Sequence, residues 1–141
     1  MKVIILAGGK GEKAWPYNEI RNKCMIPISN KPIIGYLVDA LKKHQINDIS
    51  IVGSLFMDEI KHYFRYDDVN IIITDQTNGN VETLLLSNVH EEFIFLYGDC
   101  IIDEEDIKEL IESKVNTLLI GKVYDDPHNH ILAHFNNSFP W

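Results

Sequence analysis

The stretch KVIILAGG, residues 2–9, decides the fold. Its run of apolar residues, closed by two glycines, predicts a short buried strand that ends in a tight turn. Similar apolar runs recur along the chain, with segments of helical character between them. The later predicted strands are residues 48–53, 69–74, 93–99 and 117–124, and the predicted helices are residues 32–44, 57–65, 81–88 and 104–113, with Asp103 as the cap of the last one.

Strands that alternate with helices and are apolar on both faces predict an α/β fold. We expect a Rossmann-like, mostly parallel sheet with helices on both faces. In such a sheet the ligand crevice lies beyond the carboxyl ends of the strands. Gly8-Gly9, residues 74–76 and Gly98-Asp99 all come directly after predicted strands. The pattern therefore predicts that these three segments meet at one site.

Length and composition fit one domain, which we place at residues 1–135, with a short tail at 136–141. The net charge of −8 disfavours a nucleic-acid partner and an anionic membrane surface. The first apolar run is too short to cross a bilayer. The two cysteines lack a CxxC spacing, which suits a cytoplasmic location.

The charges are distributed unevenly along the chain. Residues 1–43 hold eight lysines and arginines against three acidic residues, whereas the remaining chain holds five against eighteen. A basic region within an acidic protein is what a site for a small polyanion needs. Chance clustering on solvated helix faces would give the same count, so the charges alone leave both interpretations open.

The loop after the first strand is rich in glycine. Gly8, Gly9 and Gly11 let the backbone bend and approach a ligand closely. Exposed amides, together with Lys10 and Lys13, can hold phosphate groups. The spacing is neither GxGxxG nor GxxxxGK[ST], which disfavours a dinucleotide fold and a P-loop.

A more specific pattern extends from this loop to the start of the first predicted helix. It consists of GGKGEKAWP at residues 8–16 and KCMIPISNKP at residues 23–32. The combination resembles the signature of the sugar-1-phosphate nucleotidylyltransferases, which have the nucleotide-diphospho-sugar transferase type of fold. That signature is roughly GGxGTRLxP, then a lysine, a Pro-Ile or Pro-Val pair, and Lys-Pro. The matching positions are Gly8, Gly9, Gly11, Lys13, Pro16, Lys23, Pro27, Lys31 and Pro32.

The resemblance implies a role for each matching residue. Lys13 would steady the leaving pyrophosphate, Lys23 would hold the phosphates during transfer, and Asp99 would bind the magnesium ion that bridges them. A carboxylate oxygen suits that ion. The implied nucleotide-binding residues are Leu6, Ala7, Gly8, Gly9, Gly11, Gln76 and Gly79.

Two departures from the signature bear on activity. Glu12-Lys13 replaces Thr-Arg. The lysine keeps the positive charge but lacks the planar guanidinium group that binds two phosphate oxygens at once, and the glutamate adds a negative charge beside the polyphosphate. We expect these changes to weaken turnover rather than forbid it, provided that Glu12 points away. In the segment TDQTNGNVETLLL, residues 74–86, the family's base-reading position falls on Thr74. We favour Gln76 for that role, because its amide can pair with a pyrimidine.

The resemblance implies an enzyme that transfers a nucleotidyl group from a nucleoside triphosphate to a sugar 1-phosphate, with Mg²⁺ as cofactor and a nucleotide-sugar and pyrophosphate as products. Two alternatives stay open: a non-catalytic module that binds nucleotide or protein, and a phosphocholine-type cytidylyltransferase. Members of the family continue into a sugar-binding region. Either this chain is a short or truncated member of the family, or a homo-oligomer or a partner chain supplies that half.

Overall fold

The computed structural model describes residues 1–9, 11–74 and 92–113. The strands in these ranges are β1 (Lys2–Leu6), β2 (Pro27–Ile28), β3 (Lys31–Pro32), β4 (Ile49–Gly53), β5 (Asn70–Ile73) and β6 (Phe93–Tyr97). The helices are α1 (Ile33–Lys43), α2 (Met57–Tyr63) and α3 (Glu104–Glu112). Short 3-10 turns at Glu12–Ala14, Tyr17–Glu19 and Lys23–Met25 lie between β1 and β2.

Four strands form one parallel sheet in the order β5-β4-β1-β6. Val3 of β1 aligns with Ile49 on one side and with Ile94 on the other. The chain runs from β1 outward to β4 and β5 and then returns to the opposite side of β1 as β6. Such a reversal of strand order is where α/β sheets bind ligands. The predicted α/β class, with a mostly parallel Rossmann-like sheet, is confirmed.

The three described helices pack on one face of the sheet. Val3 and Ile5 of β1 share a buried cluster with Ile60 of α2 and Ile107 of α3. Burying an aliphatic side chain of this size contributes about 1.5–3 kcal/mol. The residues that α1 adds to the cluster recur at helical spacing: Ile34, Leu37, Val38 and Leu41.

The opposite face of the sheet holds a second apolar cluster, made of strand residues. Ile4, Leu6 and Val52 are at most 5% exposed, and Ile72 and Phe95 pack against them. Because both faces of β1 are buried, its sequence shows a continuous apolar run rather than an alternation.

The segment between β1 and α1 has more regular structure than the sequence predicted. β2 and β3 form an antiparallel hairpin in which Pro27 aligns with Pro32. Its turn residues Ser29 and Asn30 have φ values of 48° and 65°. Pro32 is extended and serves as the N-cap of α1, so the helix begins at Ile33, one residue later than predicted.

Some predicted elements fall on residues that the structure leaves undescribed: the helix at 81–88, the strand at 117–124 and the tail at 136–141. Asp103 does occupy the N-cap position of α3, but its side chain makes no capping hydrogen bond. Among the described helices, none has the length and apolar character that crossing a bilayer demands.

We expect Gly53→Ala to lower the free energy of unfolding by about 2 kcal/mol, because overpacking a filled interior costs about 1–3 kcal/mol. A Cβ at Gly53 would lie 2.6 Å from the Sδ atom of Met57 and 2.8 Å from the carbonyl oxygen of Ala7. Gly8→Ala is the matched control, since a Cβ there meets only the Cα of Gly53, at 3.8 Å. Urea denaturation measures both variants. Equal losses of stability would contradict this packing.

Candidate functional site

The chain leaves the carboxyl end of β1 through the glycine-rich loop. Gly9 has a φ of 101° and Gly11 a φ of 60°. Residues with a β-carbon rarely adopt such positive values, which explains the glycines at these two positions. The Ala14 N–H donates to the carbonyl of Gly11 at 2.7 Å and closes the first 3-10 turn. This turn brings Lys13 to the wall of a cavity at this end of the sheet.

An ion pair joins Lys23 to Asp99, 76 positions apart in the sequence. The Lys23 Nζ donates to the Asp99 Oδ2 at 2.5 Å, and the two side chains are 29% and 32% exposed. Partial burial reduces screening by water, and a hydrogen bond between two charged groups is stronger than a neutral one. The predicted catalytic lysine and the predicted metal ligand are therefore in direct contact.

Two consecutive carbonyl groups of the chain at the end of β1 hold the two partners in place. The carbonyl of Leu6 accepts a hydrogen bond from the N–H of Gly98 at 2.8 Å, which fixes the residue before Asp99. The next carbonyl, that of Ala7, accepts one from the side-chain amide of Asn22 at 2.7 Å, which fixes the residue before Lys23. The segments that carry Lys23 and Asp99 are therefore bonded to the same stretch of backbone at the end of β1.

Close packing surrounds the backbone beneath the ion pair. Cys24 is fully buried, and a Cβ added at Gly98 would lie 3.0 Å from its Sγ atom. Burial, and after it the negative charge of Asp99, raises the pKa of the Cys24 thiol to about 12. The thiol is therefore neutral near pH 7, which suits a packing role rather than a nucleophilic one.

A cavity of about 490 Å³ opens beside the ion pair, a volume suited to a small-molecule ligand. Its lining combines loop backbone, two lysines and two carboxylates: Gly11, Glu12, Lys13, Ala14, Lys23 and Asp99. A smaller cavity of about 300 Å³ lies between Arg21, Met25 and α2. The larger one is the candidate site, because it lies at the carboxyl end of the sheet, where α/β folds bind ligands, and is lined by residues that the sequence analysis singled out.

The structure brings four of the predicted site residues to one cavity: Gly11, Lys13, Lys23 and Asp99. Leu6, at the end of β1, and Ala7, which follows it, have buried side chains and do not line this cavity. Gln76, Gly79 and Lys10 lie outside the described residues. Glu12 lines the same cavity as Lys13, and the expectation of weaker turnover stays a prediction.

Sequence reasoning missed Asn22. Its side chain is buried at 4% exposure and bonds to two separate segments. The only signal in the sequence was a polar amide directly before the matching lysine Lys23. A single asparagine in a loop has no periodicity that would have identified it.

Asp99 is the residue of the cavity best placed to bind a divalent cation. Its carboxylate is a hard oxygen ligand at a strand end, as magnesium prefers. Within the described ranges, no group of three or more His, Cys, Asp or Glu side chains could hold a metal ion. A magnesium ion commonly takes one or two carboxylates and completes its shell with phosphate oxygens and water, so the residues present fit such an ion.

Comparison with known proteins identifies relatives of this chain. The family model described as MobA-like NTP transferase domain matches residues 3–139. A bifunctional sugar-1-phosphate nucleotidylyltransferase/acetyltransferase from Sulfurisphaera tokodaii is 32% identical over 98% of this chain and 35% of its own length. A CTP:phosphoglutamine cytidylyltransferase from Campylobacter jejuni is 33% identical over 85% of this chain and 52% of its own length.

A solved structure shares the fold. A glucose-1-phosphate thymidylyltransferase from Bacillus anthracis, described as putative, matches with a TM-score of 0.68 and 26% identity. The match covers 81% of this chain and 51% of that one. The chain thus spans about a third to a half of the length of these relatives.

In a double-mutant cycle, we expect Lys23→Ala and Asp99→Ala to show a coupling free energy of about 1 kcal/mol, the upper end for exposed pairs, because the contact is short and partly buried. The exposed pair Lys108–Glu112, with its atoms 3.8 Å apart on α3, is the control and should give about 0.3 kcal/mol. Urea denaturation of the single and double variants measures both couplings. A Lys23–Asp99 coupling no larger than the control would contradict the geometry of the ion pair.

Proposed function

The chain belongs to the MobA-like NTP transferase domain family, and from this membership we propose that it transfers a nucleotidyl group from a nucleoside triphosphate to a sugar 1-phosphate. The observation that carries the proposal is the Lys23–Asp99 pair at the wall of a cavity bounded by the glycine loop. A cation for phosphate oxygens and a carboxylate for a divalent ion stand there side by side, as nucleotidyl transfer requires.

In the proposed reaction, an oxygen of the acceptor phosphate forms a bond to the α-phosphorus of the nucleotide. The bond from that phosphorus to the oxygen bridging to the β-phosphate breaks in line, and pyrophosphate leaves with the electron pair. No proton has to move, since the attacking phosphate oxygen is already an anion. The task of the protein is therefore to position the reactants and to neutralise charge.

Each charged side chain of the cavity has a part in this proposal. Lys13, on the first 3-10 turn, would bind the β- and γ-phosphates beside the backbone of Gly11. Lys23 would donate to the α-phosphate oxygens, where negative charge is redistributed during the transfer. Asp99 would hold magnesium, which when bound supplies positive charge to the phosphates. Glu12 opposes these groups and would weaken the hold on the polyphosphate.

A change of hydrogen-bond acceptor by Lys23 costs little free energy. Its amine already donates to a carboxylate oxygen, so donating to a phosphate oxygen instead replaces one anionic acceptor with another. Asp99 likewise would replace one cation with another. The ion pair keeps both charged groups compensated within a partly buried site, where an isolated charge would be costly.

Two kinds of acceptor have support. A sugar 1-phosphate is supported by the pattern at residues 8–32 and by the activity of the Sulfurisphaera tokodaii relative. A second candidate is cytidylyl transfer to a phosphorylated acceptor other than a sugar, which the similar identity to the Campylobacter jejuni cytidylyltransferase favours. Glu12 on the cavity wall favours a third, a module that binds nucleotide without turnover.

We expect Lys23→Ala and Asp99→Ala each to lower turnover by about 10²–10³-fold, the loss typical for one electrostatic contact in a transition state. Pyrophosphate release from CTP, UTP, dTTP, GTP or ATP with Mg²⁺ measures this, with glucose 1-phosphate, phosphocholine or phosphoglutamine as the acceptor. Lys108→Ala is the matched control, because Lys108 is exposed on α3 and pairs only weakly with Glu112. Chelating Mg²⁺ with EDTA should abolish release by the wild-type chain.

Each outcome of this assay selects one candidate. Release with glucose 1-phosphate supports the sugar-phosphate proposal, and release only with phosphocholine or phosphoglutamine supports the second candidate. If calorimetry shows that a nucleotide binds, but no acceptor supports pyrophosphate release, the non-catalytic binding module is the remaining candidate. Wild-type turnover in both the Lys23 and Asp99 variants would overturn the proposed mechanism.

A further inference from the structure

We propose that Asn22 is a positioning residue for nucleotidyl transfer, which sets the location of Lys23 through three hydrogen bonds of its side chain. This role rests on the proposed function and adds a residue to it. Asn22 itself lies beneath the cavity and does not line it. It therefore acts through Lys23 and is not expected to contact a substrate.

The side chain of Asn22 joins three parts of the chain. Its Nδ2 donates to the carbonyl of Ala7 at 2.7 Å and to the carbonyl of Leu55 at 2.9 Å. Its Oδ1 accepts from the N–H of Cys24 at 3.0 Å. The end of β1, the segment after β4 and the turn that carries Lys23 are therefore held by one amide group.

The third of these bonds spans the proposed catalytic residue. Because Oδ1 of Asn22 bonds the N–H of Cys24, the two bonded residues enclose Lys23 and restrict its backbone. The first two bonds then fix that restricted turn against the ends of two neighbouring strands. A lysine side chain has four rotatable bonds, so its amine can be placed reproducibly only if its backbone is held.

The chemistry of the amide makes Asn22 hard to replace. Both N–H groups and one lone pair of the oxygen are in use, at a position 4% exposed. An aspartate would place a carboxylate oxygen against two carbonyl oxygens and lose both donors. An alanine would leave two carbonyls and one N–H without these partners. Misplacing a reacting group by about 1 Å can lower the rate by about 10²-fold. We therefore expect replacement of Asn22 to lower turnover.

The same amide is also part of the alignment between the two charged partners. The carbonyl of Ala7 that Asn22 bonds comes directly after the carbonyl of Leu6 that bonds Gly98, the neighbour of Asp99. Lys23 and Asp99 are therefore located from adjacent peptide units. A shift of the Lys23 turn would change its distance to Asp99 and to any phosphate beside it.

The test is a double-mutant cycle on activity. Asn22→Ala, Lys23→Ala and the double variant are compared for kcat and KM in pyrophosphate release, with the nucleotide and acceptor on which the wild-type chain is most active. Ser50→Ala, alone and with Lys23→Ala, is the control, because Ser50 is a buried polar residue in β4, 1% exposed and away from the cavity. Urea denaturation gives the folded fraction of each variant, and kcat is calculated per folded molecule.

We expect Asn22→Ala to lower kcat about 10- to 100-fold with a smaller change in KM for the nucleotide. In the Lys23→Ala background the same substitution should change kcat less than about threefold, because the residue it positions is gone. Ser50→Ala should leave kcat within about twofold of wild type. If Asn22→Ala is poorly folded, Asn22→Ser is used instead, since its hydroxyl can still accept from the N–H of Cys24.

Two results would overturn the inference. One is a folded Asn22 variant with wild-type kcat. The other is an Asn22 substitution that lowers kcat by the same factor whether Lys23 is present or replaced by alanine. These failures are distinct from failure of the proposed function. If Lys23→Ala keeps full turnover, the proposed mechanism falls, whereas a large loss in Lys23→Ala with none in the Asn22 variant removes only the positioning role.

Discussion

Two hydrogen bonds to consecutive carbonyls at the end of β1, from Gly98 to Leu6 and from Asn22 to Ala7, locate the charged groups of the cavity. Both carbonyls lie at the end of a strand whose side chains are buried on each face, and the close packing of the core holds this backbone in place. The contact between Lys23 and Asp99 depends on these two carbonyls, since the two residues come from distant parts of the sequence.

The charges of the cavity suit the proposed ligand, a polyphosphate that binds together with a divalent cation. Lys13 and Lys23 are opposed by Glu12 and Asp99, so the cavity is close to neutral by itself. A magnesium–polyphosphate complex also combines both signs of charge, so under the proposed function each of its parts would have an oppositely charged partner in the cavity. This balance would allow an acidic chain with a net charge of −8 to bind a polyphosphate.

Much of the fold and part of the site could be predicted from the sequence. β1 and its neighbours were predicted because continuous apolar runs separated by helical segments indicate a parallel sheet, and the strand-end rule placed Asp99 beside the glycine loop. Asn22 could not be predicted, since its role depends on carbonyls 15 and 33 positions away. The hairpin of β2 and β3 was missed because two-residue strands have no detectable alternation. Gln76 and Gly79 stay predictions.

The most direct test of the proposed mechanism is a crystal structure of the chain with a non-hydrolysable nucleoside triphosphate analogue and Mg²⁺. We expect the triphosphate to lie over the loop at Gly11, with Lys23 donating to a phosphate oxygen and the metal ion bound to Asp99. A nucleotide bound elsewhere, or one bound here while the Lys23–Asp99 contact stays intact and the metal ion avoids Asp99, would contradict it.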